Sequence, residues 1–404
     1  MNKVERISDT EENKAVRLLN KVMPVIMVLM ITVSLLYLFA GQIVLPNDRG
    51  VSSEDCISLN NSFDIEHKDG GSESITLPAT YENFTDDELI LTMKLTPDRL
   101  DEWLMIWNMG HELYAYIDDE LRLSVNNEGR RLFKGDVAYQ YDFVNLNDTD
   151  AGKTLSIHFP KYASENHQLG SVYMGDKAAL LLKAVKPYQF TLILAMVLGA
   201  VGLGTVIRVR FLTGRENMSY ELFYMSLGVT IASAWFLFNS PAAQFVFRNV
   251  ETARDSAFFF ASMIPLPFLM YIGRQFRGRH AMIFSVLKLA SALSFIILVV
   301  GFLFTDMAIN NLFIPTEISA VAGLGITFAL ITGDIQNRKI KEYYIAAMGI
   351  IAFIAFALIY VIIYILFPFR GDGGLLLLIG ILLMYILSLL SYLKNGSDGG
   401  RSAG

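Results

Sequence analysis

Two tryptophans four residues apart, Trp103 and Trp107, flank Met105 in the stretch WLMIWNM. Alternate side chains of a strand share a face, so these three point the same way. Such an aromatic pair either closes a core or offers a flat apolar surface to a sugar or another small molecule. Four of the five histidines, His67, His111, His158 and His167, lie between the same two apolar runs as this pair. They form no His-x-His and no His-Glu-x-x-His, and Cys56 is the single cysteine, so no metal-ligand spacing is present and no intrachain disulfide can form. The acids of YIDDEL, Asp118, Asp119 and Glu120, carry oxygens suited to calcium, but the tip of an acidic hairpin accounts for them without any ion.

A second set of chemistry-bearing residues falls inside apolar runs, where an ionisable group is costly and marks function by default. Lys288 stands about two turns into its run and Glu221 at the start of another, placed to pair if their helices are neighbours. Glu317 follows Pro315 by two residues, about one turn into its run, where a helix amino terminus stabilises its charge and where it could line an outward-facing pocket or take part in gating. Pro265 and Pro267 remove backbone donors in mid-run and predict a kink. No nucleotide-binding or metal-catalytic motif occurs in the short cytoplasmic loops, so the chain is expected to carry no catalytic residues, no metal and no cofactor, and not to be an enzyme.

The elements that must position these residues follow from hydropathy. Of the 404 residues 53% are hydrophobic, more than one soluble core of ordinary composition would bury. Met23–Leu45 is apolar beyond the roughly 20 residues a helix needs to cross hydrocarbon, and lacks a small-residue cleavage site, so it reads as a retained anchor. Seven further runs begin at Tyr188, Tyr220, Ser256, Met282, Leu312, Tyr343 and Leu375. Lys3, Arg6, Lys14, Arg17 and Lys21 precede the anchor and predict a cytoplasmic amino terminus. Alternate connectors are basic, RVRFLTGRE, GRQFRGRH and NRKIK, which places them and the carboxyl terminus inside.

Between the anchor and the first of the seven runs the hydrophobic period falls to two. In ELILTMKL, Leu89, Leu91, Met93 and Leu95 take one face, and ELYAYIDDELRLSV, AYQYDFVNL and TLSIHFPKY repeat the alternation. About eight short strands predict an antiparallel β-sandwich. The segment 46–187 holds 25 Asp and Glu against 13 Lys and Arg, which argues against nucleic acid as a partner.

The last run lacks an interior lysine for a retinal Schiff base, the third ends in IGRQF rather than an Asp-Arg-Tyr-like triplet, and no two-fold repeat of broken helices suggests a transporter. The order anchor, outer strands, seven runs, with ITLPATY, ELILTMKL, ELYAYIDDELRL and LGSVYMGDKAAL in sequence, resembles the bacterial seven-transmembrane receptors with diverse intracellular signalling modules. That resemblance implies a jelly-roll, galactose-binding-like sensor domain, although Asp118-Asp119 stands where such domains often have an Asn-Gly turn. The expected organisation is a cytoplasmic amino terminus (1–22), an anchor (23–45), an extracytoplasmic β-sandwich (46–187), a seven-transmembrane block (188–393) and a flexible cytoplasmic tail (394–404). The expected function is a multi-pass cell-membrane sensor that passes an outer ligand signal through seven helices.

Members of the family continue into a diguanylate cyclase, histidine kinase or phosphatase; here only KNGSDGGRSAG follows Leu393, so the expectation is an output domain missing from this chain. Trp103, Trp107 and Glu317 are the ligand-binding candidates. The expected partners are a small-molecule or carbohydrate ligand and the lipid bilayer, with a cytoplasmic signalling partner and a homodimer compatible with the same reading. The competing expectation is a transporter or membrane enzyme that uses Glu317 or Lys288.

Overall fold

A computed structural model describes Ile26, Met30 and residues 56–67, 71–81, 88–96, 103–126, 139–160, 167–212, 219–247, 249–276, 278–305, 307, 309–366 and 374–401. The expected anchor and amino-terminal tail lie outside these residues except for Ile26 and Met30, both helical. The chain divides into two compact units. One holds Phe190–Asn239 and Asp255–Gly404 with the amino-terminal 39 residues; the other holds Ala40–Gln189 together with Ser240–Arg254.

The second unit is β-rich. Its twelve strands among the described residues are β1 (Cys56–Ser58), β2 (Phe63–Glu66), β3 (Ser72–Ile75), β4 (Ala79–Tyr81), β5 (Glu88–Lys94), β6 (Trp103–Met109), β7 (Leu113–Ile117), β8 (Glu120–Val125), β9 (Tyr139–Asn145), β10 (Thr154–Pro160), β11 (His167–Leu169) and β12 (Val172–Gly175). A four-stranded sheet runs β1-β12-β6-β9, a six-stranded sheet runs β3-β2-β5-β10-β7-β8, and β11 pairs with β4. Among the described residues every strand pairing is antiparallel.

Alternation decides what each strand buries. Leu89 and Leu91 of β5, Ile65 of β2 and Leu155 and Ile157 of β10 meet Leu104 and Ile106 of β6 and Val144 of β9 in one apolar cluster, so both sheets turn a face into it. Where the chain recrosses β6 it passes so close that a Cβ on Gly170 would sit 1.9 Å from the Trp107 carbonyl oxygen. Only glycine fits there, and the approach lets the Trp107 N–H reach the Ser171 carbonyl at 2.9 Å.

The β-unit is also held by a buried carboxylate. Asp150 accepts from Arg122 Nη2 at 3.0 Å, Lys153 Nζ at 2.9 Å and the Asn147 N–H at 2.9 Å, and is fully buried. Burial alone would raise its pKa, but the Lys153 hydrogen bond, the Asn147 amide and the two cations together hold the carboxyl below the usual range.

Helices follow: α1 (Lys177–Val185), α2 (Gln189–Ile207), α3 (Tyr220–Asn239), α4 (Val250–Met263), α5 (Pro265–Gln275), α6 (Ala281–Phe304), α7 (Ile309–Gln336), α8 (Tyr344–Leu366) and α9 (Gly374–Arg401). They supply seven segments long and apolar enough to cross a membrane, Lys177–Phe211, Tyr220–Asn239, Val250–Gln275, Ala281–Phe304, Ile309–Gln336, Tyr344–Ile363 and Gly374–Tyr392. These match the seven apolar runs of the sequence. The break expected at Pro265 and Pro267 separates α4 from α5, with Pro265 opening the new helix. Side chains such as Phe190, Val321 and Leu358 stay exposed on the helices, as hydrocarbon-facing residues do. The pair α8 and α9 packs closely because Gly349 lies against the Met384 backbone, where a Cβ would stand 3.2 Å away.

Two boundaries differ from the sequence reading. Helix α9 continues through Arg401, past Leu393, where glycine and serine content suggested a flexible tail; an established helix gains one hydrogen bond for each residue it adds. The β-unit also claims Ser240–Arg254, a segment that hydropathy treats as a plain connector between two spans.

Candidate functional site

The outer face of the four-stranded sheet gathers most of the aromatic candidates. Register places Trp103, Met105 and Trp107 of β6 opposite Asn145, Phe143 and Tyr141 of β9, with Tyr173 of β12 opposite Met105 on the other side. All of these but the exposed Asn145 form a second apolar cluster with Leu180 and Ala184 of α1 and with Phe245. Trp103 and Trp107 therefore turn away from the cluster the two sheets share, and are half-buried under other parts of the chain. Lys177 Nζ lies 3.7 Å from the Trp103 ring centroid and Lys183 Nζ 4.6 Å from that of Tyr173, so α1 covers this face through cation–π contacts. The Trp107 ring stacks on Tyr141 with centroids 6.3 Å apart, and its Nε1 is buried with no hydrogen-bond partner among the described residues.

Ser240–Arg254 completes the cover. Ser240 caps a short turn by accepting the Ala242 N–H at 3.2 Å, with Pro241 in the first turn, and the turn delivers Gln244 onto β9. Gln244 Oε1 accepts the Tyr141 N–H at 2.7 Å while its Nε2 donates to the Tyr141 carbonyl at 2.9 Å. One side chain thus satisfies both backbone groups of an edge-strand residue, as a paired strand would. Phe245 meets Phe143 edge to face at 6.4 Å, and the Arg254 guanidinium lies 4.7 Å from the Tyr139 ring centroid. Burial, with Tyr188 beside it, pushes the Tyr141 phenol pKa up. Asn249 then caps α4, its Oδ1 accepting the Thr252 N–H at 2.8 Å.

The intramembrane candidates belong to the helical unit. Glu317 is exposed on the side of α7, between Ile314 and Ile318, rather than in the interior of the helices. Lys288 is buried in α6, and Glu221 accepts a long hydrogen bond from Gln275 at 3.4 Å. The histidines are dispersed: His67 lies 3.9 Å from Glu73 and His158 Nδ1 3.0 Å from Glu88. Among the described residues no three His, Cys, Asp or Glu side chains converge in a way that could hold a metal ion.

Sequence reasoning missed two arrangements. Gln244 in SPAAQF carries no local signal of its partner 103 residues earlier. Asp334 at the end of α7 is buried, accepts from Tyr343 Oη at 2.8 Å and lies 3.2 Å from Arg279 Nη2; basic loops were legible there, but the carboxylate they meet was not.

The architecture defines a multi-pass membrane protein with a β-rich unit ahead of seven apolar helices. No family model matches the chain, and no curated protein matches it.

Proposed function

We propose that the chain is a membrane-bound sensor in which ligand binding to the β-unit, read as an extracytoplasmic jelly-roll sandwich, biases the packing of the seven helices. The observation that carries this reading is the docking of Ser240–Arg254 in the β-unit by Gln244, Phe245 and Arg254. The chain leaves α3 at Asn239, is bound to β9, and returns through α4, so any shift of β9 pulls directly on two helix ends. A soluble domain merely tethered to a transporter would need no such hold.

Within the helices, α9 is tied to its neighbours by polar contacts. Tyr271 Oη and Ser388 Oγ are 2.5 Å apart, and Tyr385 Oη lies 2.9 Å from Thr205 Oγ1. A ligand that prefers one packing by about 3 kcal/mol shifts a two-state equilibrium roughly a hundredfold, and α9 would carry the change to a cytoplasmic partner or to an output domain. The resemblance to bacterial seven-transmembrane receptors with intracellular signalling modules supports the same reading.

Spin labels on Asn337→Cys and Lys394→Cys in a Cys56→Ser background should give a distance distribution that changes when Gln244 is replaced by Leu. An unchanged distribution in a variant whose 240–247 amides have lost their exchange protection would mean the β-unit does not bias the helices, and the sensor reading fails. The proposed orientation is tested separately with a membrane-impermeant thiol reagent on intact cells: Met307→Cys should react directly and Asn337→Cys only after permeabilisation. The opposite order would invert the topology.

A further inference from the structure

The six-stranded sheet turns its other face away from the apolar cluster, and on that face a diagonal trough of about 390 Å³ crosses the central strands. Its floor is low: Ile90 and Thr92 of β5 lie beside His158 and Ser156 of β10 in register. Glu66 of β2, opposite Ile90, stands on one bank. Tyr116 of β7, opposite Ser156, stands on the other with Asp118 and Asp119 of the adjoining turn.

Three strand spacings across and four residues along separate Glu66 from Asp118, about 19 Å between backbones. The turn is fixed, because Asp118 adopts a left-handed φ of 51° and its Oδ1 accepts the Thr154 N–H at 2.9 Å. His158 is already engaged by Glu88 at 3.0 Å and by Ser156 Oγ at 3.2 Å, and packs edge-on against Tyr116 at 4.8 Å. Among the described residues no lysine or arginine lines the trough, although Lys94 lies opposite Thr154 at its edge.

Carboxylates at both ends, hydroxyls and one aliphatic side chain along the floor, and an aromatic wall form a site for an elongated organic cation. Charged amines would meet Glu66 at one end and Asp118 and Asp119 at the other, an inner amine would face Tyr116, and methylenes would lie over Ile90 and Thr92. The acidic balance of the segment 46–187 adds a long-range attraction for such a ligand. We infer that this trough binds a linear polyamine. The inference rests on the sensor reading and supplies its ligand class.

The test is calorimetric titration of the full chain in lipid nanodiscs with spermine, with butylamine and maltotriose as comparisons. Spermine should bind, butylamine should bind far more weakly and maltotriose should not bind. Glu66→Gln combined with Asp119→Asn should weaken spermine at least tenfold, and Asp118→Asn, which keeps the oxygen that accepts Thr154, should weaken it as well. Asp148→Asn, an exposed acid outside the trough, should leave binding unchanged. No spermine binding, equal loss in Asp148→Asn, or preferential binding of maltotriose would each overturn the site. The spin-label pair keeps the two readings apart: spermine binding that leaves the helices unmoved rejects the sensor but keeps the site, whereas a response to Gln244→Leu without spermine binding does the reverse.

Discussion

Asp150→Ala should lower the stability of the β-unit by about 1–3 kcal/mol, because Lys153 and the Asn147 amide lose the carboxylate they share with Arg122, which keeps only Glu120. Pulse proteolysis in urea, following cleavage within the β-unit of the reconstituted chain, would record this as a midpoint lower by about 0.5–1.5 M, given a urea dependence near 2 kcal/mol per molar. A midpoint within experimental error of the parent would mean that the cluster contributes nothing. The same carboxylate sets a pH signature. Its folded pKa lies below its unfolded value, so its contribution is complete above about pH 4 and is lost as pH falls through the folded pKa. Asp150→Asn should therefore remove that acid-dependent portion of stability while leaving the neutral-pH hydrogen bonds partly intact. An unaltered acid profile in Asp150→Asn would assign the pH dependence to other groups.

Gln244→Leu should release Ser240–Arg254 from β9. Leucine fills a similar volume but leaves the buried Tyr141 N–H and carbonyl without their partners, at about 1–3 kcal/mol for each. Hydrogen exchange read by mass spectrometry should show the Tyr141 amide and the amides of residues 240–247 exchanging at least tenfold faster, while the β5–β10 ladder keeps its protection. Gln244→Glu is a sharper variant, since a carboxylate still accepts the Tyr141 N–H but no longer donates to the carbonyl, and intermediate exchange is expected. Parent-like protection in Gln244→Leu would show that Phe245 and Arg254 suffice to hold the segment. That outcome would move the coupling from the glutamine to the aromatic contacts, and Phe245→Ala would become the informative substitution.

The strands of the β-unit were legible where one face is apolar and the other polar. In ELILTMK the alternation alone separates Leu89 and Leu91, which enter the shared cluster, from Ile90, Thr92 and Lys94, which face away. In WLMIWNM it could not, because both faces are apolar: Leu104 and Ile106 on one, Trp103, Met105 and Trp107 on the other. A period of two assigns residues to faces but does not say which face a sheet buries. The orientation was decided by α1 and Ser240–Arg254, which cover the tryptophan face and leave the leucine face to the opposite sheet.

The seven spans were determined by the sequence itself, since length and hydropathy suffice when every backbone group must find its partner within its own helix. Proline fixed the break between α4 and α5 for the same local reason. What a polar side chain meets is different in kind. Gln244 on Tyr141, Arg279 on Asp334 and the two banks of the trough each join segments distant in the chain, through contacts that leave no period and no spacing behind. Local pattern records which surfaces a segment must hide from water, and only the folded chain decides which distant partner hides them.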